Sequence, residues 1–162
     1  MPQRKKREKT PSFLDFVPDD FVNLNRVRFT YKSGKTQITL KKSFRPENLR
    51  YLKHIRRLDS VTFEDYSSVN ATVLNELAPL GLRYLKIGVN ECTDTDLAAL
   101  EGFQDLKRLN LYCSSHVTDA GLSHIQKLAL LTNLYIFNSK RITDEGFIPL
   151  THLEHLIEYG EH

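Results

Sequence analysis

The stretch Leu106-Lys107-Arg108-Leu109-Asn110-Leu111-Tyr112-Cys113 decides the fold, because its apolar pattern recurs along the chain. The same spacing appears as Leu82-x-x-Leu85-x-Ile87 and Leu131-x-x-Leu134-x-Ile136. A weaker copy reads Leu58-x-x-Val61-x-Phe63, and a last one opens with Leu153-x-x-Leu156. The copies start at 58, 82, 106, 131 and 153, so the steps are 24, 24, 25 and 22 residues. Self-similarity at such a step marks a stack of supersecondary units, none of which buries its own apolar face alone.

The second half of each unit agrees independently. An apolar residue, then often Thr-Asp, precedes a further apolar residue: Val69…Leu74, Cys92-Thr93-Asp94…Leu97, Val117-Thr118-Asp119…Leu122 and Ile142-Thr143-Asp144…Phe147. Apolar residues then recur in steps of three: Leu74, Leu77, Leu80; Leu97, Leu100, Phe103; Leu122, Ile125, Leu128; Phe147, Leu150, Leu153. Period two thus gives way to a helical period once per unit. On a short strand, alternation sends Leu85 and Ile87 inward and Tyr84, Lys86 and Gly88 outward. Thr or Asp before the helical run supplies an acceptor for the unpaired N–H groups of a helix start. On that basis Thr93-Asp94-Thr95-Asp96 reads as capping rather than as a catalytic carboxylate pair.

These units resemble the cysteine-containing leucine-rich repeats of F-box receptors and related proteins without an F-box, over about residues 58–156. That subtype ends its strand with Cys or Asn. The matching positions here are Tyr66, Asn90, Ser114 and Ser139, of which Asn90 fits, while Cys113 lies one place early. The resemblance implies an α/β leucine-rich-repeat solenoid arc, with parallel strands on the concave face and helices on the convex face. It implies a scaffold and no activity. A short non-repeat N-terminal part, the Val27–Tyr31 strand, few repeats and the segment around Val117-Thr118-Asp119 are also similar to a family of small mitochondrial proteins. That family includes ATP synthase subunit s (coupling factor B) and the distal membrane-arm assembly factor of respiratory complex I.

Charge is divided along the 162 residues. Residues 1–57 carry 16 Lys+Arg against 5 Asp+Glu, a net +11, whereas residues 58–162 carry 7 against 15, a net −8. Residues 1–12 read as a basic disordered tail. Residues 13–57 read as an N-terminal cap for the stack, made of apolar cover (Phe13 to Leu24), a β-hairpin and a helix. The hairpin is Val27–Tyr31 and Thr36–Leu40 around Lys32-Ser33-Gly34-Lys35. The helix opens at Pro46 and runs through Leu49, Tyr51, Leu52 and Ile55, and the hairpin argues against an F-box. Residues 58–162 form the repeats. At 40% apolar and 27% charged residues the composition is that of a globular protein. No apolar run approaches the roughly 20 residues of a membrane-spanning helix. Without a secretory signal, Cys92 and Cys113 read as reduced thiols, Cys92 as a packed small hydrophobe.

Outward strand positions line up in three columns: Ser60, Tyr84, Arg108, Asn133, His155; Thr62, Lys86, Asn110, Tyr135, Ile157; Glu64, Gly88, Tyr112, Phe137, Tyr159. The expected partner-binding residues are Tyr84, Lys86, Arg108, Asn110, Tyr112, Asn133, Tyr135, Phe137, His155 and Tyr159, because clustered outward aromatics exceed what folding requires. A second, anion-binding set is expected in the basic half: Arg4, Lys5, Lys6, Arg7, Lys41, Lys42, Arg45, Arg50, Lys53, Arg56 and Arg57. That set suits RNA or an acidic protein. His116 and His124 read as facing solvent. His152 and His155 have no Cys beside them, so no metal and no cofactor is expected.

With no phosphate loop, nucleophile elbow or metalloprotease helix, no enzyme activity is expected. The expected role is protein–protein interaction, as an adaptor or an accessory or assembly subunit of a larger complex, a mitochondrial respiratory or ATP synthase complex among them. Two other roles remain open: substrate recognition for a ubiquitin ligase without an F-box of its own, and an RNA-associated accessory role through the basic region. The expected compartment is intracellular, the mitochondrial matrix side or the cytoplasm, ahead of the nucleus.

Overall fold

Ser33 and Gly34 both have positive φ (52° and 76°) and close a two-residue turn between β1 (Val27–Lys32) and β2 (Lys35–Leu40). Positive φ at both central positions is the turn geometry whose twist matches paired antiparallel strands. This computed structural model describes residues 27–41, 45–64, 69–89, 92–113, 115–138, 140–151, 153 and 155–159. The pairing runs from Val27 opposite Leu40 to Lys32 opposite Lys35. The expected apolar cover at 13–24 and the tail at 1–12 lie outside the described residues.

The other edge of β2 pairs in parallel with β3 (Leu58–Phe63), Ile38 lying opposite Val61 and Leu40 opposite Phe63. The hairpin therefore continues the sheet. Between them, the expected helix forms as a 3₁₀ helix, Pro46–His54, with proline at its start. Its buried residues explain the tighter winding. Leu49 and Leu52 are three apart, and the buried Ile55 just past the helix end continues the step, matching three residues per turn where an α-helix would rotate them progressively off the core.

β4 (Tyr84–Val89), β5 (Arg108–Cys113), β6 (Asn133–Phe137) and β7 (His155–Tyr159) follow in sequence order across the sheet. The fold is α/β, with strands β2 to β7 mutually parallel and β1 antiparallel at the edge. The connections carry α1 (Ala71–Leu77), α2 (Asp94–Leu97), α3 (Asp119–Ile125) and α4 (Asp144–Phe147). Three of them tighten into 3₁₀ turns, Ala78–Leu80, Ala98–Gly102 and Ile148–Leu150. Apolar residues in steps of three suit that winding too.

Inward strand residues and helix residues share one core: Leu85, Ile87, Leu109, Leu111, Leu134 and Ile136 pack with Leu97, Leu100, Phe103, Leu122 and Ile125. Full burial of one such leucine is worth about 1.5–3 kcal/mol relative to exposure. Cys92 joins this core, and its thiol donates to the Val69 carbonyl of the preceding unit at 2.8 Å.

The Thr-Asp pairs do more than cap their own helices. Asp94 accepts from Thr118, its Oδ1 taking the backbone N–H at 2.8 Å and its Oδ2 the hydroxyl at 2.6 Å. Asp119 holds Thr143 in the same way. Each carboxylate thus ties its unit to the next one. A Cβ on Gly121 would stand 2.6 Å from Asp94 Oδ1, and one on Gly146 would collide with the Asp119 carboxylate. Glycine at those two positions is what lets the preceding unit's aspartate approach. One unit earlier the arrangement inverts: Ala71 replaces the aspartate, and Asp96 stands where the later units have glycine. Asp96 then reaches back, Oδ2 accepting from the Thr93 N–H at 3.0 Å and Oδ1 from the Ala71 N–H at 3.3 Å.

Candidate functional site

The sheet face turned away from the helices carries the outward strand positions. Its register puts them in rows across the strands. Tyr84 lies opposite Ser60 and Arg108, and Arg108 opposite Asn133; Lys86 lies opposite Thr62 and Asn110, and Asn110 opposite Tyr135. Tyr112 lies opposite Gly88 and Phe137. Asn133 pairs with His155 and Phe137 with Tyr159 through the backbone; the side chains of those two β7 residues lie outside the described set. The rows also extend to β2, where Gln37 lies opposite Ser60 and Thr39 opposite Thr62. Eight of the ten expected partner-binding positions, Tyr84 to Phe137, therefore share one face, and His155 and Tyr159 continue its rows in backbone register.

Within it, aromatic and cationic groups are interleaved. The Tyr112 and Phe137 rings stack with centroids 4.3 Å apart and planes 9° from parallel. The Lys86 ammonium, on the strand at the other side, lies 5.3 Å from the Tyr112 centroid, and the Arg108 guanidinium lies 6.0 Å from the Tyr84 centroid. Such contacts are attractive because the ring face is the negative part of the π quadrupole. The aromatics are half-buried by these neighbours rather than fully water-facing, and Arg108 is exposed. Burial pushes the Tyr84 hydroxyl above its ordinary pKa of 10.0, against the pull of Arg108 and of a hydrogen bond with Thr62. Tyr84 is thus a neutral donor at any physiological pH. Asn110 Oδ1, at the middle of the face, is buried with no hydrogen-bond partner. An unpaired buried acceptor costs about 1–3 kcal/mol.

The expected anion-binding set divides. Arg4, Lys5, Lys6, Arg7 and Lys42 lie outside the described residues. Arg45, Arg50, Lys53, Arg56 and Arg57 are exposed and Lys41 is half-buried. Part of this charge is already engaged: Arg50 lies over the Tyr51 ring, 5.0 Å from its centroid, and Arg45 approaches Glu47 at 4.0 Å. Arg57 of that set heads a basic row at the leading ends of three parallel strands, whose other members, Arg83 and Lys107, do not belong to it. Arg57, Arg83 and Lys107 each stand just before a strand, and all three are exposed. Backbone bonds link the last two, Lys107 N–H to Arg83 O at 2.9 Å. The signal is present in the sequence, where a basic residue stands immediately before β3, β4 and β5.

His124 corrects the solvent-facing expectation. Its Nδ1 lies 2.5 Å from Glu101 Oε1, which also accepts from Lys127 Nζ at 2.7 Å. Glu101 belongs to the preceding unit, so this is a second bond between units on the helix side. Lys127 and then His124 hold the Glu101 carboxyl below its ordinary 4.5. His116 is exposed, and His152 lies outside the described residues. So do Tyr66, Asn90, Ser114 and Ser139, the strand-end positions of the cysteine-containing subtype.

A comparison of the chain with protein-family models and with curated protein sequences finds no match. Among the described residues, no group of three or more His, Cys, Asp or Glu side chains is placed to hold a metal ion. No helix among them is long and apolar enough to cross a membrane.

Proposed function

We propose that this chain is a non-catalytic leucine-rich-repeat protein, its sheet forming the concave face of a short solenoid arc, and that this face grips a protein partner. The role is that of an adaptor, or an accessory or assembly subunit of a larger complex, mitochondrial respiratory and ATP synthase complexes being among the fitting settings. The observation that carries this reading is the Tyr112–Phe137 stack with Lys86 against it. Two aromatic rings and a cation are held outward on three adjacent strands, where the core gains nothing from them. Aromatic residues and arginine dominate the energetics of protein interfaces.

Replacing Tyr112 and Phe137 with alanine tests it. The double variant is expected to keep its helical and sheet signal and to lose the proteins that co-purify with the native chain. An unchanged set of co-purifying proteins would exclude this face as the binding surface.

A further inference from the structure

The partner's chemistry can be read from what the face has left to offer. Among the described strand residues of outward parity the charged groups are Arg28, Lys32, Lys35, Lys86 and Arg108; Lys35 is paired with Asp59 at 3.0 Å, and the one acidic residue of the outward columns, the exposed Glu64, stands just past the end of β3. Yet residues 58–162 are acidic overall. Six of their fifteen carboxylates stand away from this face: Asp94, Asp96, Asp119, Asp144 and Glu145 at the helix starts and Glu101 beside α3. Among the described strand residues of outward parity positive charge therefore prevails, although residues 58–162 carry a net −8.

The rings sharpen this. One face of Tyr112 is covered by Phe137 on β6 and the other approached by the Lys86 ammonium on β4. A Tyr84 face is taken by Arg108. Aromatic rings are negative on their faces and positive at their edges. With those faces occupied, what Tyr112 turns to a partner is its positive edge, and Tyr84 adds a neutral hydroxyl. A nucleobase needs an open ring face to stack upon, and Tyr112 has neighbours at both of its faces. A carboxylate needs cations, N–H and O–H donors and positive ring edges, all of which this face supplies. The basic stretch Arg4–Arg7 of the same chain is the wrong sign to cover it.

We infer that the sheet face centred on Lys86, Arg108 and Tyr112 binds an acidic segment of a partner protein, its Asp or Glu carboxylates seated between the two cations and the ring edges. This rests on the protein-binding reading above and names the partner's class.

The experiment titrates the full chain with three fluorescein-labelled probes: a twelve-residue Glu/Asp-rich peptide, its Lys-rich counterpart and a twelve-nucleotide oligouridylate. The acidic peptide alone is expected to bind, more weakly as salt rises. Lys86→Glu with Arg108→Glu, and the milder Lys86→Gln with Arg108→Gln, should weaken it about tenfold or more. Lys140→Glu with Arg141→Glu, an equal charge change away from the face, should not. Equal losses from both glutamate pairs would reduce the effect to net charge and overturn the inference. Oligouridylate bound in a Lys86- and Arg108-dependent manner would assign the face to single-stranded nucleic acid and overturn it as well. So would self-association that the same pair abolishes, since that would place a second copy there. Should Lys86→Glu with Arg108→Glu keep the native co-purifying proteins while Tyr112→Ala with Phe137→Ala releases them, the protein-binding reading stands and this inference alone falls. Thermal melts of each variant separate lost binding from lost folding.

Discussion

Asp119 grips Thr143, 24 residues further along the chain, with both carboxylate oxygens: Oδ1 accepts the backbone N–H and Oδ2 faces the hydroxyl, each at 2.8 Å. Gly146, on the same helix as the residue after Thr143, leaves the room this carboxylate occupies. The two positions are therefore energetically coupled, which a double-mutant cycle measures. Gly146→Ala alone should destabilise by about 1–3 kcal/mol through overpacking. Asp119→Ala alone should cost about 0.5–1.5 kcal/mol, because the exposed Thr143 N–H then turns to water and its hydroxyl to Glu145. In the double variant the clash is relieved, and its loss should fall short of the sum by at least about 0.5 kcal/mol in urea unfolding. Strict additivity would contradict the geometry.

Acid should unfold the protein for an identifiable reason. Lys127 and His124 hold Glu101 below 4.5, the Thr93 N–H holds Asp96 below 3.8, and the Thr143 hydroxyl holds Glu145 below 4.5. A carboxyl depressed in the folded state contributes stability that is fully present above its unfolded pKa and vanishes as pH falls through the lowered one. Melting temperature should thus stay level through neutral pH and drop from about pH 4.5 downward. Combining Asp96→Asn, Glu101→Gln and Glu145→Gln should flatten that drop. An equally steep fall in the triple variant would assign it to other carboxylates.

Asn110 separates folding from recognition. Replacing it with leucine removes a buried acceptor that has no partner. Asn110→Leu should raise stability to urea by about 1–3 kcal/mol and weaken retention of co-purifying proteins. A destabilised variant would mean that Oδ1 is satisfied in solution.

Arg57 adopts φ of 54° in the turn before β3. A left-handed conformation costs a non-glycine residue about 1–2 kcal/mol, part of which glycine returns as chain entropy. Arg57→Gly should therefore stabilise by about 0.5–1 kcal/mol, and Arg57→Val should destabilise, both by thermal melt. A stabilising valine would show that the strain is absent.

Much of this was legible because a parallel stack repeats its register. Once Leu85, Leu109 and Leu134 are aligned, Tyr84–Arg108–Asn133 and Tyr112–Phe137 must be neighbours, and the pairing places them so. What lay between units was harder to read. Asp94 and Asp119 look like ordinary helix caps, because a cap's sequence does not reveal whether its carboxylate serves its own helix or the next. The telling signal was joint: Gly121 and Gly146 follow units that have aspartate, and Asp96 follows one that has Ala71. The steps of three between apolar residues suit 3₁₀ winding but do not decide it, since Leu122, Ile125 and Leu128 carry the same steps where α3 stays an α-helix. The parallel pairing of β2 with β3 was not legible, since a connection running from Lys41 to Arg57 fixes neither direction nor neighbour. His124 was misjudged for the same reason as the aspartates, its partner lying 23 residues back.

Ala71 also creates a mechanical weak point. The unit beginning at Leu58 is tied to its successor by a single, longer aspartate bond, Ala71 N–H to Asp96 Oδ1 at 3.3 Å, in place of the two-oxygen clamp of the later units, and β3 pairs with β4 only over Ser60–Thr62. The later strands pair along nearly their whole length, and two clamps, Asp94–Thr118 and Asp119–Thr143, bind the units behind them. Under a tensile load along the stack, rupture would start at that seam, so the hairpin with β3 would peel away as one piece while the block from β4 onward stayed intact.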